Sequence, residues 1–426
     1  MLTLIPLVLF FALIALGLPI FIALGLAVCT SLLLLPGATL LPMAQSMVTA
    51  VDSFQLVAIP LFLLMGQLMN ISGLTGHLVN LARLLVGRVR GGLGIANVGS
   101  SVLLAGATGS AVSDLVAIGS VLIPSMKAQG YGAAFSAAIS AASCIIGSIL
   151  PPSILFVIYG MQAQVSIIDL FIAGIIPGLI IAAVQMAYVA VLAHIRDMPV
   201  APRCTRREAL AIPLQALPGM GIPLVILLGV VFGVFTITES AAIAVAYAAI
   251  FVVLYRKWSW GALWTAMRDT AEDTAVIMVL IAASGALAWV VAVTRFPYHA
   301  ADWLISIHAS PIIVLLMINA CMLVLGMFLA PAAALVLIVP VLLPIAEAYD
   351  IDLIHLGVIA VVNLNLGLLT PPVAIANMIA SRIANVALPE MQRECMVLLG
   401  LLIIALGFIT YLPALSTSLP DLLRTP

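Results

Sequence analysis

Two stretches of this chain carry glycine, serine, threonine and proline in the same order, inside otherwise apolar sequence. The first runs from Gly106 to Ser153 and the second from Gly326 to Val373, and matching positions keep one constant offset along the chain. Glycine and proline interrupt helices, and interrupted helices expose backbone carbonyl oxygens that can bind a cation. At membrane depth such interruptions are tolerated only where they line a cavity or pack on protein. The repeated pattern therefore predicts two ion-binding sites, one in each half of the chain.

The oxygen atoms available at the two places differ in kind. The first stretch offers several hydroxyl groups beside glycine carbonyls, whereas the second offers the Thr370 hydroxyl and otherwise backbone carbonyls. Such ligands suit a monovalent cation better than calcium, which prefers carboxylates. Small hydroxyl side chains also serve helix packing in membranes, and this is the alternative, although we favour cation binding for Ser110 and Thr370. We predict sodium site one at Gly106, Thr108, Ser110, Gly147, Leu150 and Ser153, and sodium site two at Gly326, Gly367, Thr370 and Val373.

A small anionic substrate is expected between the two interruptions, near the bilayer midplane. No intramembrane arginine is evident as a partner for a substrate carboxylate, so helix amino ends and the bound cations would have to attract it. The predicted substrate contacts are Ser110, Pro152, Asn363, Thr370 and Pro372.

Four other polar residues each admit two roles. Asp114 follows the first tip by one turn; because an intramembrane carboxylate is costly, it either braces the hairpin backbone or relays a proton, and we favour bracing. Asn363 and Asn365 precede the second interruption and either hydrogen-bond the second tip or face the substrate. Glu239 follows Thr-Ile-Thr, where an acid stabilises a helix amino end, so a structural role is favoured over transport.

The composition excludes several classes of protein. The chain has 426 residues, of which 65% are hydrophobic and 7% charged, whereas soluble domains carry about a quarter charged residues. It is therefore a polytopic membrane protein. A net charge of −1 gives no basis for binding nucleic acid. No Gly-x-x-x-x-Gly-Lys-Ser/Thr motif is present, so the chain has no ATP site of the Walker type. A channel or a membrane enzyme is a rival, but neither a continuous polar stripe nor a catalytic pair is evident.

Two regions are each too long for one helix and too short for two full crossings. Residues 93–126 and 311–346 are broken midway by small residues, and we interpret them as re-entrant hairpins with tips at 106–111 and 326–332. Elsewhere an apolar helix needs about 20 residues to cross the hydrocarbon core. Segments of suitable length run near 2–16, 19–36, 54–71, 168–194, 210–236, 239–255, 275–294 and 395–413.

Residues 132–160 and 353–384 are interpreted as spanning helices that open at Pro151-Pro152 and Pro371-Pro372, because proline removes a donor and clashes with the preceding turn. A mere kink is the alternative.

The predicted fold is an all-α polytopic membrane protein with two inverted repeats, each with five crossings, one of them a broken helix, and one hairpin. The first repeat is predicted at 1–195 (scaffold helices 1–72, arm 73–92, hairpin 93–126, broken helix 132–160, connecting helix 168–194), the linker at 196–208, and the second repeat at 209–426 (scaffold 210–294, arm 295–310, hairpin 311–346, broken helix 353–384, last helix 395–413).

Basic residues indicate the orientation of the chain. With the amino terminus outside, 13 of the 15 lysines and arginines fall on the cytoplasmic side, and only Arg295 and Arg424 fall outside. Five crossings in each half invert the second half, so the two hairpins are expected to enter from opposite faces, and both termini are expected in the periplasm.

Six segments resemble the large membrane subunit of tripartite ATP-independent periplasmic (TRAP) transporters, and the resemblance covers nearly the whole chain. The segments are residues 59–66 (Ile-Pro-Leu-Phe-Leu-Leu-Met-Gly), 87–92 (Gly-Arg-Val-Arg-Gly-Gly), 106–114 (Gly-Ala-Thr-Gly-Ser-Ala-Val-Ser-Asp), 147–153 (Gly-Ser-Ile-Leu-Pro-Pro-Ser), 233–239 (Gly-Val-Phe-Thr-Ile-Thr-Glu) and 367–373 (Gly-Leu-Leu-Thr-Pro-Pro-Val).

The resemblance implies a sodium-driven importer of small organic acids in the bacterial inner membrane. It implies two protein partners, a small four-span membrane subunit and a periplasmic solute-binding protein. It also implies an elevator-like motion of the hairpin-bearing domain against a scaffold, as in the ion-transporter superfamily. A stand-alone sodium- or proton-coupled anion transporter of the same superfamily is the nearest alternative.

Two positions depart from the pattern of the family that the chain resembles. Family members usually have an acidic residue where this chain has Ala330, and a Gly-x-Asn-Leu sequence where this chain has Ala374-Ile-Ala-Asn377, with the asparagine displaced by one. Both departures lie beside the predicted second sodium site.

Overall fold

The computed structural model describes residues 9–10, 12–14, 16–34, 40–87, 89–105, 109–200 and 205–424. Over these residues the chain is helical and contains no strand. Nine of the described helices are long and apolar enough to cross a membrane, and a tenth span results if one bent pair is counted. The predicted all-α polytopic class is therefore confirmed. The predicted first crossing at 2–16 falls largely outside the described residues.

The first half of the chain forms ten helices within the described ranges. A short 3-10 turn, Phe54–Val57, joins the second helix to the third. The helices are α1 (Ile20–Leu34), α2 (Leu40–Val51), α3 (Ala58–Ser72), α4 (Leu74–Val86), α5 (Gly92–Leu104), α6 (Ala111–Ala128), α7 (Ala133–Ser143), α8 (Ile145–Ile149), α9 (Ile154–Ala163) and α10 (Ile167–Ile195).

The described part of the second half also forms ten helices. They are α11 (Arg206–Val231), α12 (Ile237–Leu254), α13 (Trp260–Thr294), α14 (Phe296–Ser306), α15 (Pro311–Phe328), α16 (Pro331–Ala348), α17 (Leu353–Gly367), α18 (Ile375–Ala384), α19 (Leu388–Tyr411) and α20 (Ala414–Arg424). We call α5 with α6 hairpin 1, and α15 with α16 hairpin 2. Residues 150–153, between α8 and α9, are break 1, and residues 368–374, between α17 and α18, are break 2.

Helix bounds repeat at the same offset as the sequence motifs. Both ends of α6 match both ends of α16 at the spacing that separates Gly106 from Gly326, and the start of α7 matches the start of α17. Both arms contain helices, α4 and α14, at the places where the sequence predicts them. By length and composition α6, α15 and α16 each qualify as a span, so the re-entrant interpretation depends on where the tips pack and not on helix length.

The halves differ at α13, and the predicted span 275–294 is too short. In the first half the chain leaves the helix at Ser53, which is extended, before continuing into α3. The second half runs on as one helix of 35 residues, about 52 Å long. Arg268 and Glu272 form an ion pair at 2.7 Å across one turn there, which supports continuous helix at the point where the first half is interrupted. Two further helices, α2 and α20, are not predicted from the sequence.

A capping box begins the helix that follows the Thr-Ile-Thr-Glu motif. The Thr236 backbone N–H donates to Glu239 Oε2 at 2.8 Å, and the Glu239 N–H donates to Thr236 Oγ1 at 3.3 Å. The structural role predicted for Glu239 is therefore confirmed. Thr205 and Glu208 form the same box at the start of α11.

The broken helices lie at the centre of the molecule. Every residue of α17 from His355 to Gly367 is buried, as is every residue of α7 from Ala134 to Ser143. A helix buried on all sides must be apolar or small on all sides, and alanine and serine dominate α7.

The two broken helices run antiparallel. Tyr159, near the end of α9, donates its hydroxyl to the carbonyl of Leu353 at the start of α17, at 2.6 Å. Lys127, near the end of hairpin 1 and just before α7, donates to the carbonyl of Ala384 at the end of α18, also at 2.6 Å. The beginning of each broken helix thus lies beside the end of the other, which is the relation that an inverted repeat requires.

Candidate functional site

Break 1 is a short extended segment between two helices that differ in direction by 45°. Leu150 is extended, the Pro151–Pro152 bond is cis, and Ser153 is extended before α9 begins. Ser153 Oγ accepts a hydrogen bond from the N–H of Phe156 at 3.4 Å and donates to the carbonyl of Ser148. One hydroxyl therefore caps α9 and closes the break, which a mere kink would not need.

Hairpin 1 packs directly on break 1. Gly109 has φ +61°, and a methyl group built on it would lie 3.0 Å from Ile154 Cγ1. A methyl group on Gly147 would overlap Oδ2 of Asp114, a carboxylate that is 0% exposed. Asp114 thus lies on the bare backbone of Gly147, one helical turn before break 1, so its carboxylate packs on the broken helix and not on the backbone of its own hairpin.

Ser110 occupies the N-cap position of α6 with φ −130° and ψ 118°, and it is half-buried. Its backbone carbonyl accepts a hydrogen bond from the N–H of Asp114 at 3.0 Å. Two members of predicted sodium site one, Gly106 and Thr108, lie outside the described residues. Of the other members, Ser110 follows Gly109 at the tip of hairpin 1, Gly147 packs on Asp114 of the same hairpin, and Leu150 and Ser153 belong to break 1.

Break 2 is longer than break 1 and is tied by side-chain amides and hydroxyls. Thr370 Oγ1 donates to the carbonyl of Leu366 at 2.9 Å, and Asn377 Nδ2 donates to the carbonyl of Leu369 at 3.0 Å. Ala374 is in the left-handed region with φ 48°, and the Pro371–Pro372 bond is cis. The displaced asparagine of the sequence analysis therefore holds the backbone of this break.

Hairpin 2 meets the end of α17, just before break 2, with backbone against backbone. A methyl group on Gly367 would lie 2.5 Å from Cα of Gly326, and one on Gly326 would lie 3.1 Å from Cα of Gly367. Two main chains come this close only when both residues lack a side chain. Ala330 follows as the N-cap position of α16 and provides no side-chain cap.

An asparagine of each hairpin's first helix binds the adjacent broken helix. Asn363 Nδ2 donates to Asn319 of α15, to Oδ1 at 2.7 Å and to the backbone carbonyl at 3.0 Å. Asn363 thus hydrogen-bonds hairpin 2 in its first helix and not at its tip. In the first half, Ser143, which matches Asn363 in the repeat, donates to Asn97 Oδ1 of α5 at 2.8 Å.

A side-chain hydrogen bond joins the helices that lead into the two breaks. Ser148 Oγ donates to Asn365 Oδ1 at 2.7 Å, and both side chains are buried. From the sequence, Asn365 was expected either to hydrogen-bond the second tip or to face the substrate, and no link between the halves was expected at Ser148. Neither residue carries a signal for this contact, because the partners lie 217 positions apart and do not match in the repeat.

The breaks and tips also gather helix ends. Helices α5, α8, α15 and α17 end there, and their carboxyl ends favour cations. Helices α6, α9, α16 and α18 begin there, and their amino ends favour anions. The arrangement can hold cations and an anion at neighbouring positions with Asp114 as the charged side chain among the predicted site residues.

Comparison with known proteins identifies related chains. The family described as the DctM component of the tripartite ATP-independent periplasmic transporter matches residues 7–415. The sialic acid TRAP transporter large permease protein SiaM of Vibrio cholerae is 36% identical over 380 residues, covering 89% of both chains. The C4-dicarboxylate TRAP transporter large permease protein DctM of Pseudomonas aeruginosa is 35% identical over 401 residues, covering 94% of both chains.

Two further relatives extend the comparison. The 2,3-diketo-L-gulonate TRAP transporter large permease protein YiaN of Escherichia coli is 34% identical over 382 residues, covering 89% of this chain and 90% of that one. The crystal structure of the Alcanivorax borkumensis YdaH transporter superposes with a TM-score of 0.62 at 17% identity, covering 88% of this chain and 89% of that one. At this identity the YdaH likeness shows a shared fold and nothing about the substrate.

Proposed function

Because the chain belongs to the family of DctM components of tripartite ATP-independent periplasmic transporters, we propose that it is the permease of a sodium-driven importer of a small organic acid. Membership of the family makes the chain a multi-pass membrane transporter subunit and not an enzyme. The sodium coupling, the substrate class and the residues that carry them are our proposal.

The observation that supports the proposal is the contact between each hairpin and its break. Gly109 of hairpin 1 lies against Ile154 at the end of break 1, and Gly326 of hairpin 2 lies against Gly367 at the start of break 2. In the first half the bend at Gly109 lies against the Ile154 side chain, and in the second half the backbones of two helices meet beside break 2. In both halves a hairpin thus packs next to a helix interruption, as in transporters that bind ions at discontinuous helices. Such packing supplies carbonyl oxygens without exposing them to lipid.

One sodium ion would be bound at each contact. At break 1 the ligands would be carbonyls near Gly147 and Leu150 with the Ser110 hydroxyl, and Asp114 would supply negative charge nearby. At break 2 the ligands would be carbonyls of Gly326 and Gly367 with the Thr370 hydroxyl. The carboxyl ends of α8 and α17 favour a cation at both places.

The substrate would lie between the two breaks, where four helices begin. Sialic acid, C4-dicarboxylates and diketogulonate, named for the relatives, all carry carboxylates, and helix amino ends attract such groups. Ser110, Pro152, Asn363, Thr370 and Pro372 are the contacts that we propose. Asn363 would contribute through its carbonyl oxygen, because its amide group donates to Asn319.

The proposed importer works with a small four-span membrane subunit and with a periplasmic binding protein that delivers the acid. From the charge bias we propose that both termini lie in the periplasm, and from five crossings in each half we propose that the two hairpins enter from opposite faces. Transport would proceed by an elevator-like shift of the hairpins and broken helices against scaffold helices α1–α3 and α11–α13.

Uptake by proteoliposomes tests this proposal. The chain would be reconstituted with its small membrane subunit, and the binding protein would present a radiolabelled organic acid from outside. We expect uptake with sodium outside, and loss of most uptake when choline replaces sodium or when the binding protein is omitted. Uptake that continues unchanged in choline would refute sodium coupling, and uptake without the binding protein would favour a stand-alone transporter.

A further inference from the structure

The helices that lead into the two breaks are linked by a direct contact between side chains. Ser148 Oγ lies 2.7 Å from Asn365 Oδ1 and 3.0 Å from the carbonyl oxygen of Ile145, and its one hydroxyl proton donates to the nearer acceptor, Asn365. Ser148 and Asn365 are 2% and 0% exposed. Ser148 follows Gly147, on which Asp114 packs, and Asn365 lies two residues before Gly367, on which Gly326 packs. The two partners of the hydrogen bond therefore lie one and two residues from Gly147 and Gly367, the glycines at the proposed cation sites.

Each partner is also fixed to the backbone of its own half. The carbonyl of Ser148 accepts the hydrogen bond from Ser153 Oγ that closes break 1. Asn365 Nδ2 donates to the carbonyl of Val361 at 2.7 Å, within α17. Both polar groups of the Asn365 side chain are thus engaged, one within its own helix and one across to the first half.

This geometry transmits backbone shifts from one break to the other. The O–H···O bond between Ser148 and Asn365, at 2.7 Å, is at its preferred length and weakens as it is stretched. Because both side chains are short, a shift of the backbone at either break changes the distance between Ser148 Oγ and Asn365 Oδ1. A break that is ordered by a cation therefore favours one position of the other break.

We propose that Ser148 and Asn365 are positioning residues that couple the two cation sites, so that the first sodium ion raises the affinity for the second. This inference rests on the proposed sodium-driven function. The first ion orders both breaks through the shared hydrogen bond, and the second ion then binds to backbone that is already ordered. By thermodynamic linkage the coupling is reciprocal: an ion at either site raises the affinity of the other site by the same factor.

Equilibrium binding of radioactive sodium tests the coupling without a substrate. The full chain would be purified with its small membrane subunit and titrated with sodium in a scintillation proximity assay. If the first ion raises the affinity for the second about fivefold, which is at the low end of typical allosteric values, the Hill coefficient of the unaltered protein is about 1.4. We expect it to fall to about 1.0 in Ser148→Ala and in Asn365→Leu. The double variant is expected to match either single variant, because both remove the same contact.

Two further variants separate coupling from a general loss of structure. Ser148→Thr keeps the hydroxyl and is expected to retain cooperative binding. Ser143→Ala is the matched control, since it removes an equally buried hydroxyl that binds Asn97 Oδ1 at 2.8 Å within the first half. It is expected to leave the Hill coefficient unchanged. Because Ser148→Ala and Asn365→Leu change different helices, failure of one to fold leaves the other to decide.

The outcomes are distinguishable. A Hill coefficient that is unchanged in both Ser148→Ala and Asn365→Leu, or that equals one in the unaltered protein, would overturn the coupling and leave sodium binding intact. A lower affinity in Ser148→Ala with unaltered cooperativity would make its hydroxyl a direct ligand and would also overturn the proposal. If the unaltered protein bound no sodium, the sodium-driven function would fail and the coupling with it.

Discussion

Break 1 and break 2 occupy matching places in the two halves, and polar side chains hydrogen-bond the backbone at both, but the hairpins contact them in different ways. At break 1 the Asp114 carboxylate of hairpin 1 lies on Gly147, and Gly109 lies against the Ile154 side chain. At break 2 hairpin 2 meets the broken helix with backbone against backbone, at Gly326 and Gly367. A clash with a side chain is relieved when that side chain moves or is shortened by substitution, whereas a clash with backbone is relieved only when a helix moves. The comparison teaches that the second site tolerates less change than the first.

The largest effect is expected from Gly367→Ala. Its methyl carbon would lie 2.5 Å from Cα of Gly326, so hairpin 2 must move away from break 2. Overpacking of this kind costs about 1–3 kcal/mol, and we expect sodium-dependent uptake to fall by at least about 100-fold because a displacement of about 1 Å suffices for such losses. Uptake in proteoliposomes measures the loss.

Gly400→Ala is the control: a methyl group built on Gly400 would have no atom within 4 Å, so uptake should be unchanged. Uptake within twofold of the unaltered protein for Gly367→Ala would show that the backbone contact is not needed.

Gly147→Ala sharpens the contrast because its clash is with a side chain. The methyl group would overlap Oδ2 of Asp114, and we expect a lower melting temperature of the purified protein. In an Asp114→Ala background the same Gly147→Ala change should lower the melting temperature by much less, since the clashing atoms are gone. No equivalent relief exists for Gly367→Ala, where the clash is with backbone. Equal decreases in both backgrounds would argue against the contact between Asp114 and Gly147.

Smaller effects are expected from the hydroxyl groups proposed as ligands. Ser110→Ala and Thr370→Ala each remove one oxygen and should raise the sodium concentration needed for half-maximal uptake. Thr370 also binds the carbonyl of Leu366 at 2.9 Å, so the change at break 2 should be the larger of the two. Sodium titration of uptake measures both, with Ser125→Ala, an exposed hydroxyl on α6, as the control. If neither variant alters the sodium requirement, the assignment of these two ligands is wrong.

The smallest effect is expected at the helix cap of break 1. Ser153→Ala removes the acceptor for the N–H of Phe156, and loss of an N-cap typically costs about 1 kcal/mol. Thermal unfolding should show a decrease of about 1 °C in the melting temperature. Val373, the matching residue of break 2, provides no cap, because α18 begins without a side-chain hydrogen bond; Val373→Ala should therefore leave the melting temperature closer to that of the unaltered protein. A larger decrease in melting temperature for Val373→Ala than for Ser153→Ala would contradict the assignment of a side-chain cap to break 1 and not to break 2.

The sequence predicted what depends on local rules. Glycines and double prolines at matching places predicted the helix ends at both breaks and both tips, and Glu239 after Thr-Ile-Thr predicted a stabilised helix amino end. The re-entry of the two hairpins stays a prediction. Apolar segments of about 20 residues likewise predicted most of the spans.

What the sequence did not predict depends on neighbours that are distant along the chain. The extension of α13 through Arg268 and Glu272 was missed because the span was predicted from apolar residues, and the charged residues of this part of the helix interrupt the apolar pattern. The partners Asn319–Asn363 and Ser148–Asn365 were missed because polar residues in a membrane bundle have many possible partners. Only the packing of α15 on α17, and of the two broken helices on each other, selects among them.

A density map of the complex in sodium, compared with one in choline, tests the central claim most directly. We predict helices that are interrupted at Pro151 and Pro371, hairpins that enter from opposite faces, and cation density at both breaks in sodium alone. Uninterrupted helices through the two prolines, or identical density at both breaks in sodium and in choline, would contradict the account.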